Sequence, residues 1–205
     1  KDKRLNIIQE KTKILLKKNI KFNKACINSK EIKIKNINLS SNLKLNIIKE
    51  LSGYKQLSPT LSLSQARINS KEVRKDDIFF AIKGKKNDGN KFVFQSFKKK
   101  ASIAVVNRIK KNLKTNRQIK VKDSLKFLTD SSKIFRKNIN TNIIAITGSC
   151  GKTTLKELLG KSLGKISKVS ISQKSYNNKY GVPLSLFNLN QSDDYGILEV
   201  GMDKK

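Results

Sequence analysis

An apolar segment that breaks into a glycine-bounded loop, at residues 142–154, constrains the fold of this chain more than any other feature. It reads Asn-Ile-Ile-Ala-Ile and continues as Thr-Gly-Ser-Cys-Gly-Lys-Thr-Thr. The apolar run predicts a buried strand, and residues 152–163 predict a helix. Four leucines form one face of that predicted helix: Leu155, Leu158, Leu159 and Leu163. Strand, loop and helix in this order are typical of an α/β domain with a parallel sheet.

The loop has the pattern of a phosphate-binding site. Gly148 and Gly151 let backbone N–H groups approach an anion, and the following helix adds its positive N-terminal end. Lys152 is then expected on the terminal phosphates of ATP as the catalytic cation, with the Thr153 hydroxyl on the accompanying Mg²⁺. The predicted ATP-binding residues are Gly148, Ser149, Cys150, Gly151, Lys152, Thr153 and Thr154. A chance Gly-Lys-Thr in a lysine-rich chain is the alternative, which the flanking strand and helix patterns disfavour.

The spacing within the loop is unusual. The common pattern has a glycine five residues before Gly151, where this chain has Ile146. The shortened form, Thr-Gly-x-x-Gly-Lys-Thr, resembles the ATP loop of the Mur ligases, the cytoplasmic amide-forming enzymes that build the peptidoglycan stem peptide. The resemblance implies an ATP-dependent ligase that uses Mg²⁺ and acts in the cytoplasm.

Upstream motifs resemble the N-terminal UDP-substrate domain of the same family. They occupy residues 68–71, 77–84 and 88–92. In the family, an Asp-Ser-Arg-like triplet and an Asp-Gly-His-like turn help to hold the uridine diphosphate part of the substrate, and here they read Asn-Ser-Lys and Asp-Gly-Asn. The resemblance implies substrate binding by Asn69, Ser70, Lys71, Asp88 and Gly89. Composition alone makes these residues ordinary turn residues.

Two downstream segments complete the predicted site. Residues 175–184, Ser-Tyr-Asn-Asn-Lys-Tyr-Gly-Val-Pro-Leu, resemble most closely the family members that add D-alanyl-D-alanine, which implies substrate contact by Asn177 and Asn178. The same loop can instead cap a helix that begins at Leu184. Glu199 is a lone acid in an apolar strand, a costly arrangement unless a cation meets it. The family has a magnesium-binding Glu there, so Thr153 and Glu199 are the predicted metal ligands.

The predicted fold class is α/β, with a small α/β UDP-substrate domain followed by the truncated start of a P-loop parallel-sheet ATPase domain. The predicted organisation is an unassigned Lys/Asn-rich segment at 1–42, the UDP-substrate domain at 43–112, a connecting strand and helix at 113–140 and the first part of the ATP domain at 141–205. The family's ATP domain continues well beyond such a point. We therefore expect an N-terminal fragment that is inactive alone.

Composition bears on partners and compartment. The chain carries 46 Lys and Arg against 15 Asp and Glu, a net charge of +31. Such a charge raises the alternative of a nucleic-acid-binding P-loop ATPase. The lysines are spread along the whole chain, so nucleic acid is the minority interpretation. The two cysteines, Cys26 and Cys150, indicate no disulfide framework, and no apolar run reaches the length of a membrane span.

The resemblance implies one reaction with two substrates. ATP phosphorylates the terminal carboxylate of UDP-N-acetylmuramoyl-tripeptide, and the amine of D-alanyl-D-alanine then attacks the acyl phosphate. A monomer is expected. The alternative within the family is a Mur ligase that adds a different amino acid.

Overall fold

Two parallel sheets with helices packed on them make up the described part of the chain. This part of the computed structural model comprises residues 42–54, 56–84, 87–173 and 176–201, so nearly all of the unassigned segment 1–42 lies outside it. The strands are β1 (Ala66–Arg67), β2 (Ile78–Phe80), β3 (Ile103–Val106), β4 (Gln118–Lys120), β5 (Asn142–Ile146), β6 (Val169–Ile171) and β7 (Tyr195–Glu199). The α-helices are α1 (Leu43–Ser52), α2 (Val93–Lys98), α3 (Ser124–Lys137), α4 (Lys152–Leu163) and α5 (Gly181–Phe187). Short 3₁₀ helices span Ser70–Glu72, Gly89–Phe92 and Thr115–Arg117.

The first sheet has the strand order β1-β2-β3-β4, with every neighbouring pair parallel. All residues of β2 and β3 are completely buried and apolar, as expected for parallel strands covered on both faces. β4 lies within the stretch 113–140 that was predicted to connect the two domains, and it pairs with β3. The predicted domain boundaries stay predictions.

The second sheet has the order β5-β7-β6 and is also parallel. Its register pairs Ile146, the last residue of β5, with Glu199, the last residue of β7. Parallel pairing therefore brings the acid to the strand end from which the glycine loop leaves. Among the described residues β5 is an edge strand, so it is less buried than its apolar sequence predicts: Ala145 is exposed and only Ile146 is fully buried.

Helix α4 packs on this sheet through a different face from the one predicted. Leu155 and Leu158, two of the four leucines on the apolar face of the predicted helix, are 49% and 52% exposed. The buried residues of α4 are Lys156, Gly160 and Leu163. The reason lies at Gly160, where an added Cβ would be 2.1 Å from Ile171 Cδ1. A helix can approach the sheet this closely only where it has no side chain.

Three buried aromatic rings join the helices to the first sheet. The ring of Phe187 on α5 packs edge-on against Phe80 of β2 and Phe135 of α3, with centroids 6.2 and 5.5 Å apart. The ammonium of Lys44 on α1 lies 5.7 Å from the centroids of Phe135 and Phe187 and donates to the carbonyl of Ser64. This cluster holds α1, α3 and α5 together. None of the helices in the described ranges is long and apolar enough to cross a membrane.

A single amide side chain completes the edge of the first sheet. Asn188, immediately after α5, accepts a hydrogen bond from the backbone N–H of Ala66 at 2.6 Å and donates one to the carbonyl of Ala66 at 2.9 Å. Ala66 is completely buried and starts the edge strand β1. The amide thus replaces a neighbouring strand and ties β1 to the helix that precedes β7.

We predict that Asn188→Ala destabilises the protein. The substitution leaves a buried N–H and a buried carbonyl without partners, and each unsatisfied group costs about 1–3 kcal/mol. Chemical denaturation of the wild type and the variant measures the loss in free energy of unfolding. Asn112→Ala, at an exposed turn, is the matched control. Equal stability of the two variants would contradict the role given to Asn188.

A second prediction concerns the pH dependence of stability. Burial lowers the pKa of Lys44 from 10.5 to about 8; Asp77 opposes this shift and Arg67 adds to it. Between these two values the unfolded chain binds a proton that the folded protein does not, so the free energy of unfolding rises with pH. In Lys44→Met this rise between about pH 8 and 10.5 should be smaller than in the wild type, whereas exposed Lys98→Met should leave it unchanged. Identical pH profiles for wild type and Lys44→Met would contradict this prediction, because they would show that burial does not disfavour the charged form of Lys44.

Candidate nucleotide and metal site

The glycine loop connects β5 to α4 through two residues in the left-handed backbone region. Gly148 has a φ of 148° and Gly151 a φ of 76°, which side chains other than glycine rarely adopt. At the start of α4 the first-turn N–H groups have no carbonyl of the preceding turn to bond. Ser149, Cys150, Thr153 and Thr154 are exposed around this helix start. The arrangement therefore presents free backbone donors and a positive helix end to solvent.

Lys152 bends back across the loop. Its Nζ donates to the carbonyl of Gly148 at 2.6 Å and lies 3.4 Å from that of Ser149. The ammonium therefore sits beside the open helix start instead of projecting away from it.

The two predicted metal ligands meet. Thr153 Oγ1 donates to Glu199 Oε2 at 2.9 Å, although the two residues are 46 positions apart. Asn177 Nδ2 donates to Glu199 Oε1 at 2.9 Å, and the backbone N–H of Glu199 donates to Ser172 Oγ. Glu199 is only 2% exposed. Its carboxylate is thus held on both oxygens at the carboxyl end of β7.

The surroundings of Glu199 favour its charged form. Burial alone raises the pKa of a carboxyl group, but hydrogen bonds from Asn177 and Thr153 and the charges of Lys156 and Lys152 outweigh it. The net result is a pKa below the ordinary value of 4.5. Glu199 is therefore a carboxylate at neutral pH, which is the form that binds a metal ion.

Lys156, which the sequence analysis did not single out, faces the same carboxylate. The residue is completely buried, and its Nζ lies 3.8 Å from Glu199 Oε2 and 3.8 Å from Glu157 Oε1. The lysines were interpreted as a compositional bias spread along the whole chain, so no role was assigned to this one. The available signal was its position, one turn beyond Thr153 and one turn before Gly160.

The geometry around Thr153 and Glu199 suits Mg²⁺. This ion prefers oxygen ligands at 2.0–2.1 Å in an octahedron, so neighbouring ligand oxygens lie about 2.9 Å apart. The separation of Thr153 Oγ1 and Glu199 Oε2 is 2.9 Å. In the described part of the chain, no three Asp, Glu or Cys side chains cluster as an all-protein metal cage would require. A hydroxyl and one carboxylate match instead the kind of site in which phosphates supply further ligands.

The two asparagines predicted to bind substrate make internal hydrogen bonds. Asn177 donates to Glu199, whereas the Asn178 side chain accepts from the backbone N–H groups of Tyr180 and Gly181 at the start of α5. The helix-capping alternative therefore describes Asn178, although α5 begins at Gly181 and not at Leu184. Their contact with substrate stays a prediction.

The group of residues that was predicted to bind uridine diphosphate lies in the helices and turns around the first sheet. The Asn69 side chain accepts from the N–H of Lys71, buried Ser70 donates to Gln95, and Asp88 accepts from Asn90. At Gly89 an added Cβ would lie 2.7 Å from the Ile82 backbone, which explains the glycine. Within the residues that the structure describes, no hydrogen bond or ion pair joins this group to the glycine loop.

Residues close in sequence to the predicted site residues form contacts between the predicted UDP-substrate domain and the predicted ATP domain. Tyr176 Oη donates to Glu72 Oε2 at 3.1 Å, and Arg67 donates to Gln173 Oε1 at 3.2 Å. A cavity of about 130 Å³ is lined by β1, β6 and α5 residues near these contacts, and it does not include the glycine loop. The candidate nucleotide site is therefore the glycine loop and not this cavity.

Comparison with known proteins gives one consistent family. Residues 146–205 match the model of the Mur ligase middle domain. The UDP-N-acetylmuramoyl-tripeptide–D-alanyl-D-alanine ligase of Synechocystis sp. is 31% identical over 147 residues, which are 71% of this chain and 32% of that protein. The ligase of the same name from Buchnera aphidicola subsp. Acyrthosiphon pisum is 33% identical over 145 residues, 70% of this chain and 31% of that protein. The UDP-N-acetylmuramoyl-L-alanyl-D-glutamate–2,6-diaminopimelate ligase of Rickettsia montanensis is 35% identical over 124 residues, 57% of this chain and 26% of that protein.

Solved structures agree with these sequence matches. MurF from Acinetobacter baumannii superposes with a TM-score of 0.66 at 28% identity, over 78% of this chain and 35% of that one. MurF ligase from Thermotoga maritima in complex with ADP gives a TM-score of 0.57 at 31% identity, over 72% of this chain and 34% of that one. This chain spans about a third of the length of the relatives it matches. The middle-domain match, together with similarity over some 70% of the chain, shows that it belongs to the Mur ligase family.

Proposed function

We propose that this protein is an ATP-dependent amide ligase of peptidoglycan precursor synthesis that acts in the cytoplasm. The observation that carries the proposal is the contact between Thr153 and Glu199, which places a hydroxyl and a carboxylate beside a Gly-Lys-Thr loop. This is the donor set that a nucleotide-bound Mg²⁺ takes from a protein. The Thermotoga maritima relative was solved in complex with ADP, which supports nucleotide binding by this protein.

The proposed reaction joins D-alanyl-D-alanine to UDP-N-acetylmuramoyl-tripeptide. ATP transfers its terminal phosphoryl group to the tripeptide carboxylate, the dipeptide amine attacks the acyl phosphate, and phosphate leaves. Lys152 is positioned to stabilise charge on the transferring group, and Thr153 with Glu199 would hold Mg²⁺. The metal ion would neutralise phosphate charge. The substrates themselves supply both nucleophiles, so no side chain needs to form a covalent intermediate.

The choice of D-alanyl-D-alanine rests on the Asn-Asn-x-x-Gly-Val-Pro segment and on the names of several relatives. The diaminopimelate-adding ligase of Rickettsia montanensis is also similar, which makes addition of a different amino acid the second candidate. A ligation assay with the natural protein and both amines, each with its own UDP-linked acceptor, decides between them. Turnover with diaminopimelate and not with D-alanyl-D-alanine would select the second candidate.

We predict that Lys152→Ala abolishes ligation without unfolding the protein. Removing one fixed charge from a transferring phosphoryl group is worth about 3 kcal/mol, or roughly a hundredfold or more in rate. Lys152 lies at an accessible helix start and not in the core, so stability should change little. The measurement is ATP-dependent turnover in the natural protein, beside calorimetric binding of UDP-N-acetylmuramoyl-tripeptide.

Binding of the UDP substrate should survive in Lys152→Ala, because its proposed contacts lie around Ser70 and Asp88. Lys161→Ala is the matched control, since Lys161 is an exposed lysine on the same helix. Retained turnover in a folded Lys152→Ala protein would remove the phosphate-loop assignment. The expectation that the 205 residues lack turnover on their own stays a prediction, and the same assay on the purified chain tests it.

A further inference from the structure

A completely buried lysine, Lys156, lies close to Glu199, the proposed metal ligand. The side chain of Lys156 is 1% exposed and that of Glu199 is 2% exposed, and their charged atoms are 3.8 Å apart. The second carboxylate near the Lys156 ammonium, that of Glu157, is 53% exposed. Transfer of an ammonium from water into a protein interior is costly unless an opposite charge meets it. Glu199 is the buried charge that meets Lys156.

Lys156 and Glu199 interact through their charges, without a direct hydrogen bond between them. At 3.8 Å the two groups are beyond hydrogen-bonding distance. Asn177 donates a hydrogen bond to Oε1 of the carboxylate, and Thr153 donates one to Oε2. Lys156 therefore does not block Oε2 on the side that faces Thr153. A cation could bind there in place of the hydrogen bond from the Thr153 hydroxyl.

Stability alone is a poor explanation for this lysine. Buried ion pairs often contribute little net stability, because desolvation offsets the Coulomb attraction, and an apolar residue of similar size frequently does as well. Lys152, four residues earlier, already supplies the cation that faces the loop. Lys156 adds a buried positive charge 3.8 Å from Glu199 Oε2.

We propose that Lys156 is a positioning residue for magnesium: its buried ammonium holds the Glu199 carboxylate against Thr153, so that the two oxygens are in place before the ion arrives. This inference rests on the proposed function, because it assigns a role within the same nucleotide site. It predicts that Lys156 affects the contribution of Mg²⁺ to nucleotide affinity. Nucleotide binding in the absence of Mg²⁺ should not depend on it.

The test measures the dissociation constant of ADP for the 205-residue chain by calorimetry, with MgCl₂ and with EDTA. The ratio of the two constants is the magnesium gain. Lys156→Met should reduce this gain roughly tenfold to a hundredfold, as expected when a group that orients a metal ligand is lost. The dissociation constant in EDTA should stay unchanged, because no metal ion is then bound. Lys156→Arg, which keeps the charge, should recover part of the gain, and exposed Lys161→Met should equal the wild type.

A double substitution separates positioning from direct action. If Lys156 acts through Glu199, Lys156→Met adds nothing to the magnesium gain already lost in Glu199→Gln. An additive loss in the double variant would overturn the proposal. The double variant carries no uncompensated buried charge, so it can be compared with a folded Glu199→Gln even where Lys156→Met alone fails to fold.

The outcomes separate the two claims. A wild-type chain that binds no ADP under either condition overturns the assignment of nucleotide binding to these residues, and this inference with it. Equal magnesium gains in the wild type and a folded Lys156→Met overturn the inference alone. A lower affinity in EDTA as large as that in MgCl₂ would make Lys156 part of the general fold of the loop and would also overturn it.

Discussion

The Glu199 carboxylate lies at the end of a buried strand, and the arrangement around the glycine loop depends on holding that charge in place. Two hydrogen bonds, from Thr153 and Asn177, and the buried ammonium of Lys156 compensate for its lost hydration. Thr153 and Lys156 come from α4, and Asn177 comes from the loop before α5. Parallel pairing of β5 with β7 brings these elements together, since it sets Glu199 opposite Ile146, where the loop begins. A change in that register by one residue would turn the acid to the other face of the sheet.

Much of the fold around the glycine loop was predictable from local sequence patterns. The strand, loop and helix at residues 142–163 follow from an apolar run, two glycines that need left-handed backbone conformations and a helical start at Lys152. The pairing of Thr153 with Glu199 was also predictable, because a lone acid in an apolar strand needs a nearby donor or cation. The structure brings these two side chains to 2.9 Å. Both parallel sheets agree with the predicted α/β class, and the similarity to MurF structures supports it.

Other features depend on packing that no local pattern contains. The rotation of α4 follows from Gly160 against Ile171, so two leucines that seemed to belong to the core are exposed and Lys156 is buried. Asn188 completes the edge of a strand 122 residues away, and a sequence pattern cannot reveal a contact at that distance. The roles of Asn69, Lys71 and Asp88 rest on resemblance, because each makes local hydrogen bonds that would exist in a plain turn. Conformational needs within one segment were therefore readable, whereas contacts between segments, apart from that of Thr153 with Glu199, were not.

The central claim is that Thr153 and Glu199 bind the metal ion of a nucleotide on the glycine loop. Crystals of the chain grown with ADP and Mn²⁺, measured at the manganese absorption edge, test it directly. The account predicts one strong anomalous peak at about 2.1 Å from Thr153 Oγ1, in contact with the Glu199 carboxylate and a phosphate oxygen. The ADP phosphates should lie against the first turn of α4 and Lys152. A bound nucleotide whose manganese lies away from Thr153 and Glu199, or phosphates that do not touch the loop, would contradict it.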